Sequence, residues 1–111
     1  MGASSRRVVR KLRSVPVVIE PAAKHDIRAA RDYYSDKGEG TSERFRDELN
    51  RNFDLFSRYS EATAIAFGRT RLKSMRQFPY VLGYVFLNGI VHVTGVQHGG
   101  LGWSEFELRQ F

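Results

Sequence analysis

The residues best suited to chemistry lie in a basic segment and in the two predicted strands that follow it. Four cationic side chains fall within eight positions, and two histidines come after them: Arg69, Arg71, Lys73, Arg76, His92 and His98. A histidine titrates near neutral pH and can accept or donate a proton. Arginine and lysine bind carboxylates and phosphates through charge-assisted hydrogen bonds. If these side chains share a face, they form a surface for an anionic partner, either nucleic acid or an acidic peptide.

A β-hairpin is predicted to position the two histidines. Two runs of β-branched and aromatic residues, 80–87 and 90–98, are joined by Asn88-Gly89, which is typical of a two-residue type I′ turn. Because side chains alternate along a strand, each run divides into two faces. We expect one face to carry Tyr80, Leu82, Tyr84, Phe86, Val91 and Val93, and the other Val81, Val85, Thr94, Val96, His92 and His98. The first face is more apolar and should lie under helices. The second face, which carries His92 and His98, is therefore the candidate functional surface.

The preceding chain predicts the elements that support this hairpin. Residues 15–19 form a short strand, and Pro21 suits the first turn of a helix that stops near Gly38. A second helix begins at Thr41, with its charged residues, Glu48 among them, expected on the solvent side. The predicted inner faces of the two helices consist of Ala23, Ile27, Ala30 and Tyr34, and of Phe45, Leu49, Phe53 and Phe56. Residues 64–67 form a further strand, and 69–78 a basic strand or strand pair. This order predicts an α+β fold, a small twisted antiparallel sheet with an N-terminal strand and a two-helix hairpin packed on one face.

Composition limits the class of protein. The 111 residues suit one domain and include no cysteine, so neither a disulfide framework nor a thiolate metal site is expected. The net charge is +6, with +5 in residues 1–14 and +4 in residues 62–104. We interpret 1–14 as a flexible basic arm, 15–103 as the domain and 104–111 as a tail. No membrane segment is predicted, the histidine spacing suggests no metal site, no cofactor is expected, and the expected location is the cytoplasm.

Several phrases of the chain, taken in order, resemble the RelE/ParE superfamily of bacterial toxins from type II toxin–antitoxin modules. The resemblance spans about residues 15–103 and includes Glu20-Pro21-Ala22, Ala29-Ala30-Arg31-Asp32-Tyr33-Tyr34, Gly68-Arg69-Thr70-Arg71, Phe78-Pro79-Tyr80, and His98-Gly99 with Trp103. It implies a βααβββ fold and a partner, a protein antitoxin that wraps the toxin. It also implies one of two targets, which are DNA gyrase for ParE-like members and ribosome-bound mRNA for RelE-like members.

The resemblance assigns roles to the basic residues only if the chain cleaves mRNA. His98 would then be the general acid or base, with Arg71, Lys73 and Arg76 stabilising the phosphorane charge without a metal. Arg69 would position a phosphate, and the same cations with His92 and His98 would contact nucleic acid or the antitoxin. Many relatives carry arginines after the terminal histidine, whereas this chain has Gly99-Gly100. That departure favours gyrase inhibition over mRNA cleavage and leaves an inactive, antitoxin-binding relative as a third alternative.

Overall fold

The fold is a five-stranded mixed sheet with two helices on one side. The computed structural model describes residues 14–99 together with Glu105, Phe106 and Arg109. The elements in chain order are β1 (Val17–Ile19), α1 (Pro21–Ser35), α2 (Thr41–Arg58), β2 (Ile65–Phe67), β3 (Thr70–Ser74), β4 (Tyr80–Leu87) and β5 (Ile90–His98). The strands lie in the order β1-β5-β4-β3-β2, with β1 parallel to β5 and the other pairs antiparallel. The predicted α+β class is confirmed. The sheet is mixed where an antiparallel sheet was predicted, and β2 and β3 together give one strand more than the βααβββ pattern.

The two helices form the predicted hairpin and pack on one side of the sheet, here called the helix side. Pro21 occupies the first turn of α1, where its missing N–H costs no hydrogen bond. The predicted inner faces of α1 and α2 are confirmed, because all eight residues belong to the core cluster or pack against it. Tyr84 of β4 is fully buried and stacks on Phe56 of α2, with ring centroids 4.0 Å apart. An aromatic core therefore joins the helices to the sheet.

The tight turn of the β4–β5 hairpin is also as predicted. Asn88 and Gly89 have φ angles of 54° and 76°, the left-handed values that a type I′ turn requires. Leu87 lies opposite Ile90, and the predicted register continues as far as the Tyr84–Val93 pair.

Beyond that pair the register shifts, and part of the face assignment from the sequence is wrong. Gly83 pairs with Gly95 instead of Thr94, so Thr94 is an extra residue in β5, a β-bulge. Since an extra residue moves every later side chain to the opposite face, Val96 and His98 pair with Leu82 and Tyr80 on the helix side. Val96 is accordingly part of the helix-side core. His98 therefore does not share a face with His92.

Glu48 of α2 is a second departure from the sequence-based expectation. Its carboxylate is buried, with 3% of the residue exposed, and it accepts hydrogen bonds from the backbone N–H groups of Arg76 and Gln77, the latter at 3.0 Å. The Asn52 side chain, also buried, donates to the Glu48 carbonyl at 2.9 Å. Glu48 thus fixes the loop between β3 and β4 by accepting hydrogen bonds from two of its amides.

Within the part of the chain that the structure describes, neither helix combines the length and apolarity needed to cross a membrane.

Candidate functional site

The four basic residues around β3 lie in different parts of the fold. Arg71 and Lys73 pair with Tyr84 and Leu82, so both side chains leave β3 on the helix side. Arg69 lies in the turn before β3 and Arg76 in the loop after it, and both are exposed. Of these four cations, only Arg71 and Lys73 therefore share a face of the sheet.

Arg71 has contacts that give it a structural role. Its guanidinium donates to the Thr63 carbonyl and lies 3.5 Å from a carboxylate oxygen of Glu61. Only 13% of the Arg71 side chain is exposed, against 73% for Glu61. These contacts tie the segment before β2 to the sheet. Lys73 donates to the carbonyl of Ser74 at 3.1 Å.

His98 lies at the end of β5, exposed and beside an aromatic cluster. Its ring meets Tyr80 edge-on, with ring centroids 5.5 Å apart. Tyr80 in turn contacts Phe45 at 5.4 Å and Tyr34 at 6.2 Å. His98 therefore lies on the helix side of the sheet, with its ring against the partly buried Tyr80.

Tyr34 and Tyr80 predict a loss of stability in alkali. Burial is the main cause that raises the pKa of each phenol, with a neighbouring tyrosine as a smaller cause: Tyr80 and Tyr33 for Tyr34, and Tyr33 for Tyr80. Both phenols therefore stay protonated in the folded state at pH values where the unfolded chain loses protons, and the free energy of unfolding should fall as pH rises above about 10. Denaturant titrations at several pH values should show a shallower fall for the Tyr34→Phe, Tyr80→Phe double variant. Tyr59→Phe, at an exposed position, is the control that should keep the wild-type slope.

His92 lies on the opposite side of the sheet, here called the far side. It pairs with Val85 of β4 and Val18 of β1, and its Nδ1 atom lies 2.8 Å from a carboxylate oxygen of Glu20. About a quarter of each side chain is exposed. A carboxylate in this position orients the imidazole ring through a hydrogen bond.

The far side also carries residues from the C-terminal end of the chain. Phe106 is fully buried, and its ring lies against Gly83 and Gly95, which face each other across β4 and β5. The Arg109 guanidinium binds the Asp26 carboxylate at 2.6 Å and the Thr94 carbonyl at 3.2 Å. The hydrogen bond to Asp26 is the main cause that raises the pKa of Arg109, partly opposed by burial. We refer to Phe106 and Arg109 together as the C-terminal cover.

Sequence reasoning missed the C-terminal cover, although a signal for it was present. Glycine is unfavourable inside a strand unless a backbone or ring must approach closely. Two glycines in adjacent strands, followed by an aromatic residue in the tail, are such a pattern. Trp103, which belongs to the resemblance, lies outside the described residues, as does the basic arm apart from Ser14.

The candidate residues therefore do not converge on one site. His98, Arg71 and Lys73 lie on the helix side, His92 on the far side, and Arg69 and Arg76 in loops. Two carboxylates bind groups of the far side, Glu20 binding His92 and Asp26 binding Arg109. Among the described residues, no group of three or more histidine, aspartate or glutamate side chains is close enough together to hold a metal ion.

The order and packing of the elements define a RelE/ParE-like fold. Among solved structures, the chain is similar to one described as the chromosomal ParDE TA system from P. aeruginosa, with a TM-score of 0.66 and 10% sequence identity. The superposition covers 77% of this chain and 96% of that one. No protein-family model and no curated protein matches the sequence. The likeness is one of fold, and it extends over nearly the whole of the related chain.

Proposed function

We propose that this protein is the toxin of a type II toxin–antitoxin module, neutralised by a protein antitoxin encoded beside it. The observation that carries the proposal is the fold shared with a chain of a ParDE system, over 96% of that chain. The sequence phrases that resemble RelE/ParE toxins lie in α1, at the start of β3 and at the open end of the β4–β5 hairpin.

Within this class, inhibition of DNA gyrase is the activity we favour. A metal-independent endonuclease needs an acid or base and cations around one phosphate. Here Arg71 is engaged with Thr63 and Glu61, and His92 and His98 lie on opposite sides of the sheet. The absence of arginines directly after His98 in the sequence supports the same choice. Gyrase inhibition requires a binding surface, and it does not require an acid or base and cations grouped around one phosphate.

Ribosome-dependent mRNA cleavage is the second candidate. The observation in its favour is that the side chains of the exposed His98 and of Lys73 leave the sheet on the same side. Their partners in β4, Tyr80 and Leu82, are two residues apart. In that mechanism His98 would transfer the proton, while Lys73 and Arg76 would neutralise the phosphate.

Expression of the chain alone in bacteria tests these alternatives. We expect growth arrest, relieved by coexpression of the antitoxin, with nascent DNA synthesis falling before protein synthesis. His98→Ala should leave the arrest unchanged, as should the control His25→Ala, which alters an exposed histidine of α1. If protein synthesis stops first and only His98→Ala relieves it, the endonuclease is the correct function. A folded protein without toxicity would indicate an inactive relative that only binds the antitoxin.

A further inference from the structure

The far side of the sheet contains a slot shaped for a flat ring. Gly83 and Gly95 are paired across β4 and β5, and a Cβ atom added to either would come within 2.5 Å and 2.8 Å, respectively, of the Phe106 ring. Real Cβ atoms do not approach other atoms this closely, so the ring occupies space that exists only because both residues are glycines. The bulge at Thr94 is what brings the two glycines opposite each other.

A carboxylate lies beside this slot and is held there by the body of the protein. Asp26 of α1 has only 8% of its side chain exposed. Its Oδ2 atom accepts hydrogen bonds from the Val96 N–H at 3.0 Å and the Gln97 side chain at 2.8 Å. The carboxylate is thus positioned independently of Arg109, and it binds a guanidinium in a partly buried place, where such pairs are strong.

Two buried threonine hydroxyl groups lie on the far side of the sheet. In the described part of the chain, neither Thr70 nor Thr94 has a hydrogen-bond partner for its hydroxyl, and both residues are at most 2% exposed. The Thr94 hydroxyl lies 3.3 Å from the position of a Cβ atom on Gly83, at the edge of the slot. An unsatisfied buried polar group is costly. The phenyl ring of Phe106 fills the slot but offers no hydrogen bond to the Thr94 hydroxyl.

We propose that the glycine slot and Asp26 form a peptide-binding site, filled within the chain by Phe106 and Arg109, that also accepts an aromatic residue followed three positions later by arginine from a protein partner. Phe106 and Arg109 show how such a pair of residues binds. The backbone N–H of Arg109 donates to the Phe106 carbonyl at 3.1 Å, and both side chains lie against the sheet. The site disfavours nucleic acid, since the carboxylates of Asp26 and Glu20 repel phosphates. The proposal goes beyond toxin activity and does not depend on which target is inhibited.

Peptide binding in solution tests the proposal. The probe is a fluorescein-labelled peptide with the sequence of residues 104–111, Ser-Glu-Phe-Glu-Leu-Arg-Gln-Phe. The receptor is the full chain carrying Phe106→Ala and Arg109→Ala, which empties the site and leaves its walls unchanged. Fluorescence anisotropy should show saturable binding, at least about tenfold tighter than to the wild-type chain, whose own residues compete at a high effective concentration. Adding Asp26→Asn to the receptor should weaken binding about tenfold or more.

The hydroxyls of the site provide a second readout. A peptide with tyrosine in place of its phenylalanine should bind about fivefold tighter, because the phenol supplies one hydrogen bond to a group that lacks one. A peptide with alanine at both anchor positions should not bind. If the double variant does not fold, Phe106→Ala alone serves as receptor, since it opens the slot and keeps the ion pair between Arg109 and Asp26. Equal binding of the alanine peptide, no binding to a folded receptor, or displacement of the peptide by an eight-nucleotide RNA would each overturn the proposal.

Discussion

Replacing Gly83 with alanine is expected to destabilise the protein by about 3 kcal/mol, a large effect for one methyl group. The added Cβ would come within 2.5 Å of the Phe106 ring, and the backbone of β4 cannot yield because it is paired on both sides. The ring must therefore leave the slot, and its burial is lost. Denaturant unfolding measured by circular dichroism gives the change in the free energy of unfolding.

A double-mutant cycle identifies the cause. Phe106→Ala alone should cost about 3 kcal/mol, and adding Gly83→Ala to it should cost little more, because the clash no longer exists. Gly99→Ala is the matched control, since a Cβ there meets nothing closer than 3.5 Å. Additive losses for Gly83→Ala and Phe106→Ala would show that the ring does not occupy the slot.

Glu48→Ala is the second substitution with a large expected effect, a loss of about 3 kcal/mol in the free energy of unfolding. The carboxylate is the acceptor for two backbone N–H groups of the β3–β4 loop, and its removal leaves both without a partner beside the core. Amide hydrogen exchange should also become faster at Arg76 and Gln77 in particular. A general loss of stability would instead speed exchange throughout the protein.

Two variants separate this role from an effect of charge. Glu48→Gln keeps one acceptor oxygen and should lose about half as much. Asp47→Ala removes the neighbouring exposed carboxylate, whose pairing with Arg46 is a surface contact, and should change stability by less than about 1 kcal/mol. Equal losses for Glu48→Ala and Asp47→Ala would contradict the assigned role.

The features predicted correctly from the sequence are those determined by local patterns. The turn at Asn88-Gly89 requires left-handed backbone angles that these two residues adopt readily, and the helix faces follow from apolar residues at helical spacing. Both helix starts, at Pro21 and Thr41, and both long strands of the hairpin were predicted at the positions observed.

The features that were missed depend on residues far apart in the chain. The bulge at Thr94 is held by Asp26, 70 positions before the Val96 amide that it binds. Strict alternation along β5 therefore placed Val96 and His98 on the wrong side of the sheet. The inward position of Glu48 likewise depends on a loop 28 residues later, so helical periodicity alone placed its carboxylate in solvent.

The outer strands of the sheet have a consequence for behaviour at high concentration. β1 and β2 have three residues each, and the β2–β3 pairing is irregular, so neither strand offers a long template to another molecule. Beyond Val93, where pairing with β1 ends, the Val96 amide is taken by Asp26 and the Thr94 carbonyl by Arg109. The ion pair between Asp26 and Arg109 thus completes a sheet margin that disfavours edge-to-edge aggregation.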